Sequence, residues 1–387
     1  MANELVFSRD TTMTLKVGTI IYEIPVLSGF SFSQQQDVSE LTLNEASASD
    51  GTSRRGRAMQ VNAMQPGEFS FQTYIRPYDS EGGGATDAGG NTNTVHMVDE
   101  ALWSLLIQKS GGTYTVATAS AQNVLTGWTF EADTATLVPA ANKFTLDTFQ
   151  LEFTLNDTDA TNGADLCYLL SDCVLNECTI DFDIEGIATA TWSGFCSTIA
   201  ETAATATNTA NMSEGVNSTN NFIRNRLSAV TITGTSPSIS ATELKITGGS
   251  WTYSNNITYL TADELGKVNK PLVHVCGHKS ISGSFTCYLS ADVGSDVSTN
   301  IWEAIAEDTT SLRNTFDIDL YIGGKGGSAT TPASPGMFIQ MPTCHLQVPT
   351  HTFDELATLE ITYDALPSTL AGDNEVAQIV VDGPTPN

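Results

Sequence analysis

Alternating apolar and polar residues predict β-strands along most of this chain. The clearest runs cover residues 69–75, 151–155 and 179–184, and in the first of them every odd position except Thr73 is aromatic or aliphatic. Successive side chains of a strand point to opposite faces, so each run has one face toward a core and one toward water or a neighbour. Residues 179–192 further predict a hairpin that turns at Glu185 and Gly186.

Helical spacing of apolar residues is confined to two short segments. Residues 94–109 carry Val98, Leu102 and Leu105 on one face, and residues 298–308 form a shorter counterpart. Each segment holds one tryptophan, and each is expected to pack against the sheet of its own half. The pattern therefore predicts a mainly β fold with few helices.

The two halves of the chain carry the same ordered series of segments. The matched pairs are residues 29–41 with 248–260, 70–75 with 284–289, Trp103 with Trp302, Val138-Pro139 with Val348-Pro349, and the closing strands 151–155 with 359–363. The number of residues that separates the two members of a pair changes from pair to pair, while the order of the segments is kept. This is expected because loops change length more readily than strands. We interpret this as an internal duplication.

The duplication predicts two domains, which also suits a length of 387 residues. Residues 1–200 form the first domain and residues 222–387 the second. The first includes an extra hairpin, 166–198, without a clear counterpart in the second half; it either completes the first domain or reaches a neighbouring subunit. Residues 201–221, rich in Thr, Ala, Asn and Ser, are a linker or a surface excursion.

Composition narrows the class of protein. No apolar run approaches the length of a membrane-spanning helix, and the first ten residues lack the pattern of a cleaved secretion signal. The chain carries 16 Lys and Arg against 44 Asp and Glu, which argues against tight binding of nucleic acid. This charge either keeps an abundant protein soluble or lines a surface past which nucleic acid slides. Seven cysteines, an odd number, favour free thiols over a disulfide framework.

No catalytic motif is present. The sequence lacks a Gly-x-Ser-x-Gly elbow, and the glycine-rich segment 323–327 lacks phosphate-loop spacing. One possible metal site places His274, Cys276 and His278 on one face of a strand, with Cys344-His345 as further candidates. Alternate strand positions splay such ligands apart, so we expect no catalytic residue, no cofactor and no metal.

A basic cluster stands out in this acidic chain. Arg54, Arg55 and Arg57 lie close together in a polar segment. Two interpretations stay open: the cluster is an exposed loop, or it docks on an acidic patch of a neighbouring copy, since charge complementarity fixes the register between subunits.

Two segments of the second half resemble the phage tail tube protein family. These are Gly248-Gly249-Ser250-Trp251-Thr252-Tyr253-Ser254-Asn255-Asn256-Ile257 and Ile281-Ser282-Gly283-Ser284-Phe285-Thr286-Cys287-Tyr288, and residues 30–38 and 69–77 resemble the same pattern more weakly. The match covers about two-thirds of the chain, and its weight lies in the order and duplication of the motifs. Residues 166–198 fall outside it.

The resemblance implies two tandem antiparallel β-sandwich or half-barrel domains, each with one flanking α-helix. In that family six domains form a ring and rings stack into a tube, so a duplicated chain needs three copies per ring, a homotrimer with pseudo-sixfold symmetry. Closing the ring removes exposed sheet edges. The implied partners are further copies of the chain and the tape measure, tail terminator and tail-tip or baseplate proteins, with DNA passing through the lumen and no membrane. The implied location is the virion tail, assembled in the host cytoplasm.

Two other functions are compatible with parts of the sequence. A virion decoration, fibre or adhesin protein has a similar composition, although an adhesin needs export. A metal-dependent enzyme would use the histidine and cysteine residues named above.

Overall fold

The computed structural model describes residues 8–18, 20–42, 57–79, 95–107, 128–130, 135–137, 145–155, 166–202, 213–236, 238–261, 271–289, 301, 305, 315–327, 331–370, 372 and 374–387. The strands are β1 (Thr11–Val17), β2 (Ile20–Ile24), β3 (Ser31–Thr42), β4 (Arg57–Tyr74), β5 (Pro77–Asp79), β6 (Val95–Met97), β7 (Trp128–Phe130), β8 (Ala135–Leu137), β9 (Phe149–Leu155), β10 (Leu166–Asp183), β11 (Thr189–Cys196), β12 (Thr198–Thr202), β13 (Ala229–Ser236), β14 (Ser238–Leu244), β15 (Ile246–Ser254), β16 (Ile257–Leu260), β17 (Val273–Cys276), β18 (Ser280–Tyr288), β19 (Thr315–Gly323), β20 (Gly336–Leu346), β21 (Thr350–Phe353), β22 (Ala357–Ala365) and β23 (Gln378–Asp382). Within the described residues, bounds are defined for two helices, α1 (Glu100–Ile107) and α2 (Ser213–Asn217), and for 3-10 turns at Ser8–Asp10 and Asn225–Leu227.

One antiparallel sheet runs through both halves of the chain. Its strands follow each other in the order β3, β4, β11, β10, β15, β18, β22. The predicted hairpin of residues 179–192 lies in the middle of this sheet as β10 and β11. The predicted alternation is confirmed at Phe69, Phe71 and Thr73, which are buried, whereas Ile184 is exposed beyond the end of β10.

A second layer packs on the apolar face of this sheet. Phe153 of β9 stacks on Phe30 at 5.1 Å between ring centroids and meets Phe71 of β4 edge-on at 6.5 Å. The layer belonging to the first half contains β1, β2, β9, β12 and the first part of β10. Two packed layers of antiparallel strands are a β-sandwich, so the predicted fold class is confirmed.

The strands of the two halves pair by the same scheme. The corresponding strands are β1 and β13, β2 and β14, β3 and β15, β4 and β18, β9 and β19, β10 and β20, β11 and β22, and β12 and β23. Every pairing within the first set is repeated within the second. The pairing of β10 with β15 then joins the two sets.

Individual contacts repeat as well. Ser31 lies opposite Ser70, and Ser250 lies opposite Ser284, so the sequence alignment of these segments agrees with the observed register. After a bulge in each half, the Cys173 Sγ donates to the Leu170 carbonyl and the Cys344 Sγ donates to the Met341 carbonyl. Shared irregularities of this kind are expected of copies of one ancestral fold.

The pairing scheme changes two of the sequence assignments. The hairpin 166–198, predicted to lack a counterpart, occupies the place in the first half that β20 and β22 occupy in the second. Residues 151–155 therefore correspond to β19, and residues 359–363 to β11. The hydrophobic alternation could not detect this, because every strand of a sandwich shares the same period of two.

The helix predicted over residues 94–109 is shorter than expected. Val95–Met97 form a strand with β5, and Asp99 precedes the helix, which begins at Glu100. The Glu100 carboxylate accepts a hydrogen bond from the Met97 N–H at 3.2 Å, which ties the end of the strand to the first turn of the helix. The counterpart over residues 298–308 lies largely outside the described residues, although Ile301 is buried and helical.

Helix α1 packs on the junction between the two halves and not on one half alone. The Trp103 ring meets Trp192 of β11 edge-on at 5.1 Å and lies 6.0 Å from Trp251 of β15. All three side chains are fully buried. The prediction that each helix packs only on its own sheet is therefore wrong for this helix.

Part of the predicted linker is bound firmly to the first half. Arg76 is buried and donates hydrogen bonds to the carbonyls of Gly215, Val216 and Ser218 at 2.7–3.0 Å, and to the Asn221 Oδ1 at 3.1 Å. Its guanidinium also lies 4.4 Å from the centre of the Phe222 ring. A single arginine thus fixes the segment that precedes β13.

All seven cysteines lie within the described residues, and no two of them form a disulfide. Among the described helices, none has the length and apolar character needed to cross a membrane.

Candidate functional surface: the polar face of the sheet

The face of the seven-stranded sheet that points away from the core, hereafter the polar face, carries continuous rows of hydroxyl and carboxylate side chains. One row, read across six neighbouring strands, is Gln72, Thr191, Thr179, Thr252, Ser282 and Asp364. The next is Tyr74, Thr189, Asp181, Ser250, Ser284 and Thr362. Hydrogen bonds link neighbours in the first row: the Gln72 amide donates to the Thr191 Oγ1 at 3.0 Å, and the hydroxyls of Thr179 and Thr252 lie 3.1 Å apart.

The opposite face is apolar along the same strands. Between the two polar rows lies a row composed of Thr73, Ala190, Ile180, Trp251, Gly283 and Tyr363. Burying this face gives the sheet its stability, because burial of apolar area is the main favourable contribution to folding. The polar face is left for contact with solvent or a passing molecule.

The polar face has one sign of charge. Strand segments 31–34, 67–74, 174–183, 189–196, 248–254, 280–288 and 357–365 contain no Lys or Arg. Their acidic residues are Glu68, Glu177, Asp181, Asp183, Glu360 and Asp364. A surface of hydroxyls and carboxylates without cations repels phosphate and offers it no counterion site.

Two asparagines hold the centre of the sheet in place. Asn255 is buried, and its amide donates to the carbonyls of Leu106 in α1 and Leu175 in β10 at 2.9 and 3.2 Å. Asn256 adopts a left-handed φ of 48° and donates to the His278 carbonyl at 2.6 Å. Asparagine tolerates this conformation better than most residues, so the Asn-rich segment of the sequence acts as a structural corner.

Strand β21 pairs with β22 and extends this sheet by an eighth strand, and both lateral edges of the extended sheet are open in the described part of the chain. Strand β3 pairs with β4 on one side only, and β21 pairs with β22 on one side only. Phe353, at the end of β21, is 73% exposed. Open edges with exposed aromatic residues mark candidate sites of contact with another chain.

Two arms extend from corresponding places in the halves. The first is the outer part of the β3–β4 hairpin, residues 36–42 and 57–64, and the second is the β16–β17 pair. Exposed apolar side chains occur on both arms: Val38, Leu41, Met59 and Val61 on the first, and Leu260, Val273 and Val275 on the second.

Of the residues considered for a metal site, His274 is already engaged in a hydrogen bond and Cys344 lies on a strand that does not pair with the strand of His274. The buried Nε2 of His274 accepts a hydrogen bond from the Leu146 N–H at 2.9 Å, and burial lowers the pKa of His274. Cys344 lies on β20, which pairs with β19, β22 and β23, whereas His274 lies on β17, which pairs with β16. Within the described residues no group of three or more His, Cys, Asp or Glu is arranged to hold a metal ion.

The basic cluster cannot be placed on the fold. Arg54 and Arg55 lie outside the described residues, and of Arg57 only the backbone, at the start of β4, is described.

Arg76 and the pair Asp317 and Asp319 are not among the residues predicted from the sequence. An arginine before Pro77 resembles an ordinary loop residue, and its four hydrogen-bond acceptors come from residues about 140 positions away. Alternation on β19 could have drawn attention to the aspartates, because they lie between the buried residues Phe316, Ile318 and Leu320.

A pH dependence follows from the aspartates of β19. Burial raises the pKa of Asp319 from 3.8 to about 7, and the negative charge of Asp317 adds to the shift. Since the unfolded chain releases this proton near pH 4 and the folded chain near pH 7, stability falls as the pH rises through that window. We expect Asp319→Asn to raise the melting temperature at pH 8 by roughly 1–3 °C, a modest value because the side chain is partly solvated, and to have no effect at pH 3.5.

Thermal melts at the two pH values, with the exposed Asp354→Asn as the matched control, test this expectation. A gain of equal size at both pH values would show that the carboxylate charge is not the cause.

Comparison with known proteins agrees with these features. A family model described as phage tail tube protein matches residues 19–365, which is most of the chain. The chain is similar to the tail tube protein pb6 of Escherichia phage T5, with 26% identity over 384 residues that cover 95% of this chain and 73% of that protein. The family match favours a tube subunit over the decoration or fibre protein. With a duplicated β-sandwich and an acidic polar face, the chain belongs to the phage tail tube protein family, the structural proteins that build the tube of the virion tail.

Proposed function

We propose that three copies of this chain close one ring of the tail tube, with pseudo-sixfold symmetry. The observation that carries the proposal is the shared pairing scheme of the two halves, joined in one sheet through β10 and β15. Each copy contributes two sandwich units, residues 1–200 and 222–387, connected through residues 201–221. A ring of three such chains presents six similar units and leaves no lateral sheet edge open.

The polar face lines the lumen in this proposal. Its hydroxyls and carboxylates are oriented away from the sandwich core, and the seven strand segments given above for this face contain no Lys or Arg. DNA passing through such a lumen meets repulsion at all points and no site that would hold a phosphate. The role of the chain is therefore to form a conduit, with no catalytic step.

Rings stack through the two arms. Their exposed apolar side chains, among them Met59 at 66% exposure, are costly in water and are covered when the next ring is added. Assembly takes place in the host cytoplasm, and the completed tube contacts the tape measure, tail terminator and tail-tip or baseplate proteins. Family membership supports these partners.

Cryo-electron microscopy of tubes assembled from the purified chain tests the proposal. We expect three chains per ring and density for Thr179, Asp181 and Thr252 on the inner wall. A ring of six chains, or an inner wall formed by the second layer of the sandwich, would refute it.

A further inference from the structure

We infer that β21 of one copy pairs with β3 of the next copy, antiparallel and in a register fixed by the internal duplication. This inference rests on the proposed ring. Within the chain, β10 of the first half pairs with β15 of the second. The strands that correspond to these two are the β20–β21 segment and β3, and these corresponding edges remain open in the described part of a single copy.

The register follows from the correspondence between the halves. Cys173 corresponds to Cys344, and continuing along each strand places Thr179 with Thr350 and Phe182 with Phe353. On the other side, Ser250 corresponds to Ser31. The contacts observed between β10 and β15 then translate into Thr350 opposite Ser33, His351 opposite Phe32, Thr352 opposite Ser31 and Phe353 opposite Phe30.

Differences in exposure support this assignment. Phe182 is covered by β15 and is 4% exposed, whereas its counterpart Phe353 is 73% exposed. Trp251 is fully buried, whereas its counterpart Phe32 is only partly buried. At both positions the residue at the open edge is more exposed than its counterpart inside the chain. This is expected if a second chain covers the open edges.

The chemistry of the facing residues also agrees. The hydroxyls of Thr179 and Thr252 lie 3.1 Å apart within the chain, and the corresponding pair, Thr350 and Ser33, consists of two hydroxyl residues again. Phe353 faces Phe30, which already stacks on Phe153, so the interface extends an existing aromatic cluster. Ser31, Ser33, Thr350 and Thr352 continue the rows of the polar face from one copy to the next.

Paired cysteines test the register. Residues directly opposite each other have Cβ atoms close enough for a disulfide, whereas a shift of two residues separates them to about 7–8 Å. We expect rings of the Ser33→Cys, Thr350→Cys double variant to yield covalent dimers and trimers on mild oxidation. The matched control, Ser33→Cys with Thr352→Cys, keeps the same strands and the same face and should remain at the level of the single variants.

Failure of the register and failure of the ring give different results. Wild-type protein that forms no trimeric rings refutes the proposed function. Rings in which the control pair crosslinks as well as the matched pair, or in which the matched pair stays uncrosslinked, refute the register alone. If either double variant does not assemble, side-chain density at β3 and β21 in the wild-type tube decides the register without any substitution.

Discussion

Replacing Arg76 with alanine is expected to lower the free energy of unfolding by about 3–5 kcal/mol, since several buried acceptors lose their donor and each costs roughly 1–3 kcal/mol. The carbonyls of Val216 and Ser218 and the Asn221 Oδ1 are the groups affected. The Gly215 carbonyl keeps a second donor, the Asn221 amide at 2.9 Å. Burial raises the pKa of Asp99, and loss of the positive charge removes one of the interactions that lower it.

Chemical denaturation measures the loss of stability, and limited proteolysis measures the release of the segment that Arg76 holds. The segment 213–222 should become sensitive to protease at denaturant concentrations where the wild type is protected. Arg226→Ala serves as the control, because that arginine is exposed and a surface substitution is expected to change stability by less than about 0.5 kcal/mol. Equal midpoints for Arg76→Ala and Arg226→Ala would show that Arg76 does not anchor the segment.

Replacing Trp103 with alanine is expected to lower the free energy of unfolding by about 3–5 kcal/mol, because packing is lost at the junction of the two halves. The side chain is fully buried between Trp192 and Trp251, and its Nε1–H donates to the Asp99 carboxylate at 3.1 Å. The resulting cavity weakens the packing of α1 on both halves, because Trp103 contacts Trp192 in the first half and Trp251 in the second.

The Trp103→Phe variant separates packing from hydrogen bonding. Phenylalanine keeps most of the ring contact and lacks the donor to Asp99, so we expect a smaller loss of about 1–2 kcal/mol. Equilibrium unfolding of both variants, followed by circular dichroism, gives the comparison. A Trp103→Phe variant as unstable as Trp103→Ala would assign the effect to the hydrogen bond instead of the packing.

The duplication shows which correspondences between the two halves can be predicted from local sequence patterns. Residues 29–41 and 248–260 could be aligned from the sequence, because a distinctive order of glycine, aromatic and polar residues marks each copy, and the register of Ser31 and Ser250 agrees with that alignment. Residues 151–155 and 359–363 match in the sequence only by their alternation and by their place after a Val-Pro pair in each half. Their partners place them with β19 and β11 instead, since alternation records which face a residue occupies and not which strand lies beside it.

For the candidate surface, too, some features are determined by the sequence and others only by the tertiary structure. The sequence determined that the chain is β-rich, acidic and duplicated, because strand period, charge and repeated order are local or additive properties. Only the tertiary structure decided that the hairpin 166–198 joins the halves, that Arg76 fixes linker residues 215–221, and that the hydroxyls and carboxylates share one face. These features depend on which distant strands become neighbours, and that choice is made by burial of the common apolar face and by hydrogen bonds between residues far apart in the chain.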